Sequence, residues 1–210
     1  MAYPFADILF TSGVKNAQSE NGSREFCAAM AESDRDFRLG PREAGFIAAR
    51  DHFFMATISR SGWPYLQHRG GPPGFIRILD ERRFAFPDFR GNRQYISLGN
   101  LADEKRAAFF FIDYPNRARL KALANVAPAE TGQATEIVEK FADLAYSARI
   151  ERVFIAEIEA LDWNCPQHIT PRFTEPEVEA AVGDLAKEAA RLQRENAALR
   201  DRIAALEGVS

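Results

Sequence analysis

The sequence predicts a mainly β fold of the α+β class, with an antiparallel, barrel-like sheet of six or seven strands, peripheral helices and a C-terminal coiled-coil helix. Residues 52–161 contain short runs of β-branched and aromatic residues, separated by turns rich in glycine and proline. Successive runs lie too close together for the long crossovers that parallel strands need, which favours an antiparallel sheet. Residues 178–206 repeat an apolar residue every seven positions, and this period is typical of a coiled coil.

The composition is that of a globular chain. Of the 210 residues, 46% are hydrophobic and 27% are charged, which excludes a disordered or collagen-like protein. The longest apolar run, Ala107–Ile112, is far shorter than the roughly 20 residues that cross a bilayer. The N-terminus lacks the early basic residues of a signal peptide, and two cysteines cannot build a disulfide framework. We therefore expect a protein of the reducing cytoplasm, without a membrane partner.

The charge is unevenly distributed along the chain. The net charge of −3 argues against a general nucleic-acid binder. Residues 60–93, however, carry seven arginines against three acids, a local charge of +4, so that the rest of the chain sums to −7. A basic segment inside an acidic protein favours one discrete anionic ligand over a long polyanion. The alternative is that these arginines only solvate strand edges.

The first forty residues are predicted to be irregular to helical. Ser23–Ser33 is predicted as a short helix, with Ser23 as its N-cap. Proline suits the first turn of a helix, so a second helix is predicted over Pro41–Arg50. Its side chains Phe46 and Ile47 are expected to face the core.

From His52 the pattern changes to strands. Phe53–Arg60 and Tyr65–Arg69 predict a β-hairpin around a Ser-Gly turn, and the run of glycine and proline at 70–74 is predicted as a loop. The elements predicted next are strands Phe75–Leu79 and Arg83–Phe89, a helix Asn92–Leu101, strands Arg106–Tyr114 and Arg119–Val126, a loop Pro128–Gln133, a helix Thr135–Tyr146, and a last strand Arg152–Leu161 with Val153, Ile155 and Ile158 inward.

The C-terminal segment carries a heptad seam. The d positions are Val178, Leu185, Leu192, Leu199 and Leu206, and the a positions are Val182, Ala189, Asn196 and Ile203. A stripe this narrow favours an intermolecular coiled coil over a helix packed on its own domain. Asn196 at an a position favours a parallel, in-register dimer, in which Glu195 faces Arg200 of the second chain. Thr174 and Glu177 predict a capping box where the helix begins.

Several familiar sites are excluded. The sequence contains no dinucleotide-binding, P-loop or GxSxG motif. Cys165 and His168 have the spacing of metal ligands, but a structural zinc site needs about four ligands. We therefore expect no metal site, and interpret this segment as a loop whose cysteine packs and whose histidine forms hydrogen bonds or contacts a ligand.

The segment 84–100 predicts a phosphate-binding junction between a strand and a helix. A helix N-terminus offers free N–H groups and a partial positive charge, and arginines add forked donors. The strand is expected to end at Asp88 and the helix to begin near Asn92, so these donors would meet in one place. The residues expected there are Asp88, Arg90, Asn92 and Arg93 at the junction and Gln67, His68 and Arg69 on the neighbouring strand.

Three motifs together resemble the pyridoxamine 5′-phosphate oxidase-like proteins. They are GWPYLQHRGG at 62–71, DFRGNRQYIS at 88–97 and DWNCPQHITPR at 162–172, and the likeness is closest to a bacterial branch described as predicted flavin-nucleotide-binding proteins. The resemblance covers most of residues 10–172. It implies a split β-barrel that forms a homodimer, with two flavin mononucleotides (FMN) at the subunit interface.

The resemblance also assigns roles to single residues. Arg93 matches a phosphate-binding lysine of the oxidases proper, and Asn92 matches a neighbouring arginine. The further residues implied at the cofactor are Arg69 and Arg90 at the phosphate or ribityl chain, Gln67 and His68 along the isoalloxazine edge, and the loop with Trp163, Gln167 and His168 near the flavin. The chain departs from the oxidases proper at its C-terminus, where the coiled coil replaces a segment that grips the substrate phosphate. Oxidation of pyridoxamine phosphate is therefore not expected.

We expect three parts: an N-terminal helical or irregular segment (1–40), an FMN-binding split-barrel domain (41–172) and a dimeric coiled coil (173–210). The expected function is that of an FMN-dependent oxidoreductase acting on an unknown small molecule. Because the flavin carries the chemistry itself, no catalytic residue is assigned, although His168 is the candidate for proton exchange. The alternatives are a non-catalytic flavin carrier or redox-sensing module, and a barrel that has lost flavin or holds a deazaflavin or haem.

Overall fold

The computed structural model describes residues 3–33 and 38–207. The helices and strands, in chain order, are α1 Pro4–Leu9, α2 Ser12–Glu20, α3 Arg24–Glu32, α4 Pro41–Ala48, β1 His52–Ile58, β2 Pro64–Gly70, β3 Arg77–Ile78, β4 Arg83–Phe89, α5 Ile96–Asp103, β5 Arg106–Asp113, β6 Ala118–Pro128, α6 Thr131–Glu139, β7 Ile150–Asn164 and α7 Glu175–Glu207. The chain divides into two compact units, one of Met1–Asp113 and Arg117–Ile169 and one of Tyr114–Asn116 and Thr170–Ser210.

The first unit is built on one seven-stranded sheet in the order β2-β1-β5-β6-β7-β4-β3. Each neighbouring pair of strands is antiparallel. The sheet curls strongly. The rings of Phe53 on β1 and Phe86 on β4 lie 5.1 Å apart, although three strands separate β1 from β4 in the sheet. In a flat sheet, strands in these positions would lie roughly 19 Å apart. The predicted mainly β, antiparallel barrel-like fold is confirmed.

Phenylalanine fills the inside of the curled sheet. Seven phenylalanines are among the largest fully buried side chains: Phe53, Phe75, Phe84, Phe86, Phe109, Phe111 and Phe154. Most come from alternate positions of β1, β4 and β5, because successive side chains of a strand point to opposite faces. Burial of each ring stabilises the fold by about 1.5–3 kcal/mol relative to its exposure. The position of Ile47 in the core, on α4, was predicted correctly.

The last strand, β7, is longer than predicted, and apolar side chains on both of its faces are buried. Phe154 and Ile158 lie in the main core, whereas Val153 and Ile155 pack in a second cluster with α6. The predicted inward set, which combined Val153, Ile155 and Ile158, was therefore wrong. Both faces of β7 are covered, so the simple alternation of apolar and polar residues does not identify one buried face.

Two predicted helices have shifted bounds. The helix predicted from Asn92 begins at Ile96, because Arg93 and Tyr95 have φ of 61° and 52°, which right-handed helical backbone does not allow. The helix predicted over Thr135–Tyr146 corresponds to α6, which begins four residues earlier, at Thr131, and ends at Glu139. After α6 the chain continues in single turns. One of them is closed by the hydrogen bond that the Phe141 N–H donates to the Val138 carbonyl at 2.9 Å.

Two local predictions were also wrong. The strand predicted over Phe75–Leu79 is only β3, because Phe75 and Ile76 are both buried in the core and so cannot belong to one alternating strand. Ser23 precedes α3 but caps nothing with its side chain. Its hydroxyl instead donates to the Gln18 carbonyl at 3.4 Å.

The second unit consists mainly of α7, a helix of 33 residues. It begins as predicted, since the Glu177 carboxylate accepts from the Thr174 N–H at 2.7 Å and from its hydroxyl at 2.9 Å. The seam side chains at the a and d positions are exposed in the single chain. Within residues 3–33 and 38–207, each helix is too short or too polar to cross a membrane.

Candidate functional site

A cavity of about 160 Å³ lies where the end of β4 meets α5. Its lining residues come from β2 (Tyr65, Gln67, Arg69), the end of β4 (Asp88, Phe89), the loop that follows (Gly91, Asn92, Arg93, Gln94, Tyr95), the first turn of α5 (Ile96, Ser97, Leu98) and the start of β7 (Glu151). Three strands, one loop and one helix therefore position this cavity. The inward side chains of β2 face it because they alternate with exposed ones along the strand.

The loop from Arg90 to Tyr95 has an unusual backbone. The Asn92 side chain closes a turn by accepting from the Gln94 N–H at 3.1 Å, which is a common use of asparagine in loops. Arg93 and Tyr95 both have left-handed φ, a conformation that is uncommon for residues of this size. Such backbone persists only where the surrounding structure enforces it, and it concentrates at functional sites.

Two arginines share one buried carboxylate at the cavity. Arg69 and Arg152 donate to different oxygens of Asp88, and the three side chains together carry a charge of +1. The Arg69 Nε is buried and has no hydrogen-bond partner among the described residues. A buried, unpartnered donor on a cavity-lining cation fits an anionic or oxygen-bearing ligand, because leaving it unpaired is costly.

Glu151 is a second acidic group at the cavity. Its carboxylate lies 3.9 Å from the Arg90 Nε and 3.7 Å from the Arg152 Nη2, and it accepts from the Tyr95 hydroxyl at 3.3 Å. A hydrogen bond to Tyr95, together with the negative charge of Glu151, raises the pKa of Arg93 above its ordinary value. Glu151 therefore gathers cationic side chains around the cavity.

Two polar contacts attach α5 to the sheet beside the cavity. The Ser97 hydroxyl donates to the Gln67 side-chain oxygen at 2.7 Å, and the Asn100 amide donates to the buried Thr57 hydroxyl at 3.0 Å. These contacts join α5 to β2 and β1. The first turn of α5 consequently lines the cavity, at residues 96–98 rather than at the predicted 92–94.

The structure brings five of the predicted site residues together around the cavity: Gln67, Arg69, Asp88, Asn92 and Arg93. Arg90 lies beside them, next to Glu151. His68 points to the opposite face of β2, where its ring stacks on that of His52 with centroids 5.4 Å apart.

The predicted loop residues do not reach the cavity within one chain. Trp163 lies near the far end of β7 from Glu151, where its indole N–H donates to Glu43 at 2.7 Å and Arg42 lies 4.1 Å over its ring. Gln167 and His168 follow that end of the strand. Their role at a cofactor stays a prediction.

Sequence reasoning missed Glu151, Arg152, Tyr95 and Ser97. The pairing of β4 with β7 places Arg152 opposite Asp88, although 64 positions separate them in the chain. The only local signal was a group of charged residues at the start of a strand, and surface residues give the same signal. Among residues 3–33 and 38–207, no group of three or more His, Cys, Asp and Glu side chains is arranged to hold a metal.

Comparisons with known proteins place the chain in a family. A sequence model described as pyridoxamine 5′-phosphate oxidase matches residues 40–164. The chain is similar to the Group A Streptococcus protein HupZ (16% identity, 64% of this chain and 100% of that chain, TM-score 0.49). It is also similar to an FMN-binding protein of Syntrophomonas wolfei (12% identity, 70% of this chain and 97% of that chain, TM-score 0.46). No curated protein matches significantly.

The matched segment begins just before α4 and ends at the last residue of β7, so it contains the whole curled sheet and every residue that lines the cavity. It spans more than half of the 210 residues. The chain therefore belongs to the pyridoxamine 5′-phosphate oxidase family.

Proposed function

We propose that this protein binds FMN and uses it as a flavin-dependent oxidoreductase that acts on a small molecule. The observation that carries the proposal is a cavity lined by two arginines: Arg69, whose buried Nε has no hydrogen-bond partner among the described residues, and the exposed Arg93. Family membership supports a flavin as the ligand. The bound flavin supplies the electron and hydride transfer, and the protein supplies binding, orientation and charge.

The donors around the cavity suit a phosphate monoester. Arginine forks match phosphate oxygens in a bidentate manner, and the first N–H groups of α5, at Ile96 and Ser97, add the partial positive charge of a helix N-terminus. Asp88, which also lines the cavity, holds Arg69 in place through a hydrogen bond. We therefore assign Arg93 and Arg69 to the phosphate, and Gln67 to the remaining part of the flavin.

A second copy of the chain would complete the site. The cavity of about 160 Å³ is smaller than the roughly 300–1,000 Å³ of pockets that enclose a cofactor-sized ligand. The hairpin of β1 and β2 exposes Trp63 and Leu66, by 77% and 65%, together with Ile58. Apolar surface of this kind often marks a contact with another protein. We infer a homodimer with the flavin at its interface, to which the partner contributes Trp163, Gln167 and His168.

The expected three-part division, with its barrel at 41–172, is part of the same proposal, as is a cytoplasmic location. The free cysteines Cys27 and Cys165 suit a reducing compartment.

The first test is the absorbance spectrum of the purified protein, followed by acid release and mass analysis of the chromophore. We expect the bands of oxidised flavin and the mass of FMN. A released deazaflavin or haem would contradict the assignment, and so would a colourless protein that takes up no added FMN.

The second test is the variant Arg93→Ala, measured by FMN fluorescence quenching. We expect the FMN dissociation constant to rise by roughly tenfold or more, because a charge-assisted hydrogen bond to the phosphate is lost. Arg194→Ala, in the middle of α7, is the matched control and should leave the dissociation constant unchanged. An unchanged constant in Arg93→Ala would refute the phosphate assignment.

Reduction kinetics separate the enzyme from a flavin carrier or redox sensor. An oxidoreductase should have its flavin reduced by NADH or NADPH and reoxidised by a small-molecule acceptor over many turnovers. If neither nicotinamide reduces the flavin and reoxidation is slow, the protein is a carrier or sensor instead.

A further inference from the structure

The seam of α7 is a long apolar surface exposed in the single chain. Seven of its apolar side chains, from Val178 to Leu206, are between 45% and 70% exposed. We propose that this seam is a self-association surface that takes α7 of a second copy, parallel and in register, as a two-stranded coiled coil. This contact is separate from the flavin cavity and does not depend on the function proposed for it.

The choice of side chains in the seam favours two strands. Leucine occupies the d positions from Leu185 to Leu206, and the β-branched Val182 and Ile203 occupy a positions at either end. β-branched residues at a with leucine at d favour dimers, whereas other combinations favour three or four strands. The Glu177 carboxylate accepts from the Thr174 N–H and hydroxyl where the seam begins, which is one half of a capping box.

Asn196 sets the orientation and register. In the single chain its amide donates to the Leu192 carbonyl of its own helix at 3.1 Å. In a parallel, in-register pair it meets Asn196 of the second copy, and the two amides can hydrogen-bond to each other. The antiparallel register of greatest overlap, which pairs a with d positions, would place Asn196 against Leu185 of the second copy. A buried amide without a partner is unfavourable.

The charges beside the seam agree with the parallel arrangement. Each g residue faces the e residue five positions later in the second copy, which pairs Glu195 with Arg200 and Arg202 with Glu207. Every such charged pair is attractive, and each occurs twice by symmetry. The antiparallel arrangement would instead bring Glu195 close to Glu188 of the second copy.

Arg191 supports these flanking carboxylates from within its own helix. It donates to Glu188 at 2.7 Å and to Glu195 at 3.4 Å. Both carboxylates are at g positions, so these bonds hold them at the edge of the seam, where a residue of the second copy can also reach them. The same helix carries a further exposed pair, Lys187 with Asp184 at 3.2 Å, on its outer side.

Disulfide cross-linking in the full-length protein tests orientation and register together. Cys27→Ser and Cys165→Ser remove the native thiols, and Ile203→Cys then places one thiol at an a position. In the parallel pair the two thiols are adjacent, so mild oxidation should give nearly complete covalent dimer on a non-reducing gel. Asp201→Cys, at the outward f position, is the matched control and should remain mostly monomeric.

The antiparallel pair would place the thiol introduced by Ile203→Cys opposite Val178 of the second copy. The two introduced sulfurs would then lie roughly 37 Å apart, from a rise of about 1.5 Å per residue. Failure of Ile203→Cys to cross-link in a protein of dimeric mass would therefore overturn the proposal. Equal cross-linking by Asp201→Cys would overturn it as well, because random collision would then explain both.

A second variant tests whether the seam is used at all. Most helix stability in proteins comes from packing of an apolar face, so Leu199→Asp should remove much of the helical circular dichroism of α7. Arg194→Asp, which introduces the same residue on the outer face, should keep it. Retention of full helicity in Leu199→Asp would show that α7 is not held by a partner helix.

Discussion

One carboxylate, that of Asp88, holds two of the cationic side chains at the cavity. It is buried and accepts from both Arg69 and Arg152, so its charge is more than balanced by its two partners. Removing one member of such a group leaves buried charge without a partner, which is costly. The arrangement holds Arg69, a lining residue of the cavity, in one position, and a group that is already held in place loses less freedom when a small anion binds.

Glu151 should weaken anion binding at the same cavity. Glu151→Gln removes an acidic group that Arg90 and Tyr95 contact there, while it keeps the shape of the side chain. We expect FMN to bind more tightly by about 1 kcal/mol, the interaction of two unit charges about 4 Å apart in water. The measurement is the FMN dissociation constant at low and high salt, with Glu157→Gln on the same strand as control.

The expected gain should shrink at high salt, because the interaction is screened. Weaker binding in Glu151→Gln would show that Glu151 instead holds the ligand through a hydrogen bond.

Glu104 predicts a small pH effect on stability. Hydrogen bonds from Arg106 lower the pKa of Glu104 from 4.5 to about 2. The folded pKa lies below the unfolded one, so the stabilisation is fully present above pH 4.5 and is lost as the pH falls towards 2. As the pH is lowered from 4.5 to about 2, the melting temperature of Glu104→Gln should therefore fall less steeply than that of the wild type. Parallel melting curves over that range would contradict this assignment.

At the scale of elements, the position of α5 was the prediction that mattered most for the site. The sequence predicted a helix from Asn92 to Leu101, yet the helix begins only at Ile96. The backbone is left-handed at Arg93 and Tyr95, and the Tyr95 side chain contacts Glu151 and Arg152. These partners lie on β7, so no local pattern could predict the delay.

The strands were easier to predict than their faces. β4 was predicted with its observed bounds, Arg83–Phe89, because a run of aromatic residues between turn residues has few alternatives. β7 was predicted in the right place, but both of its faces are buried, one against the core and one against α6. A sequence with apolar residues on both faces does not say which neighbour each face meets.

At the scale of the whole molecule, the barrel and the C-terminal helix should be separable. Deletion of Thr174–Ser210 should leave a dimer that still binds FMN, because the cavity and the exposed β1–β2 face both lie in the first compact unit. Light scattering and flavin content measure the two properties. A monomer without flavin would show instead that α7 holds the site together, and a dimer without flavin would separate dimerisation from the cavity.

The sequence by itself determined the class of fold, the family motifs and the heptad seam of α7, because each depends on the spacing of residues that are close in the chain. It also identified Gln67, Arg69, Asp88, Asn92 and Arg93, which line one cavity. Only the tertiary structure decided that Arg152 and Glu151 join them, that His68 faces away, and that Trp163 lies at the other end of β7. The physical reason is that strand pairing and the curl of the sheet place distant residues together, and these depend on packing across the whole core.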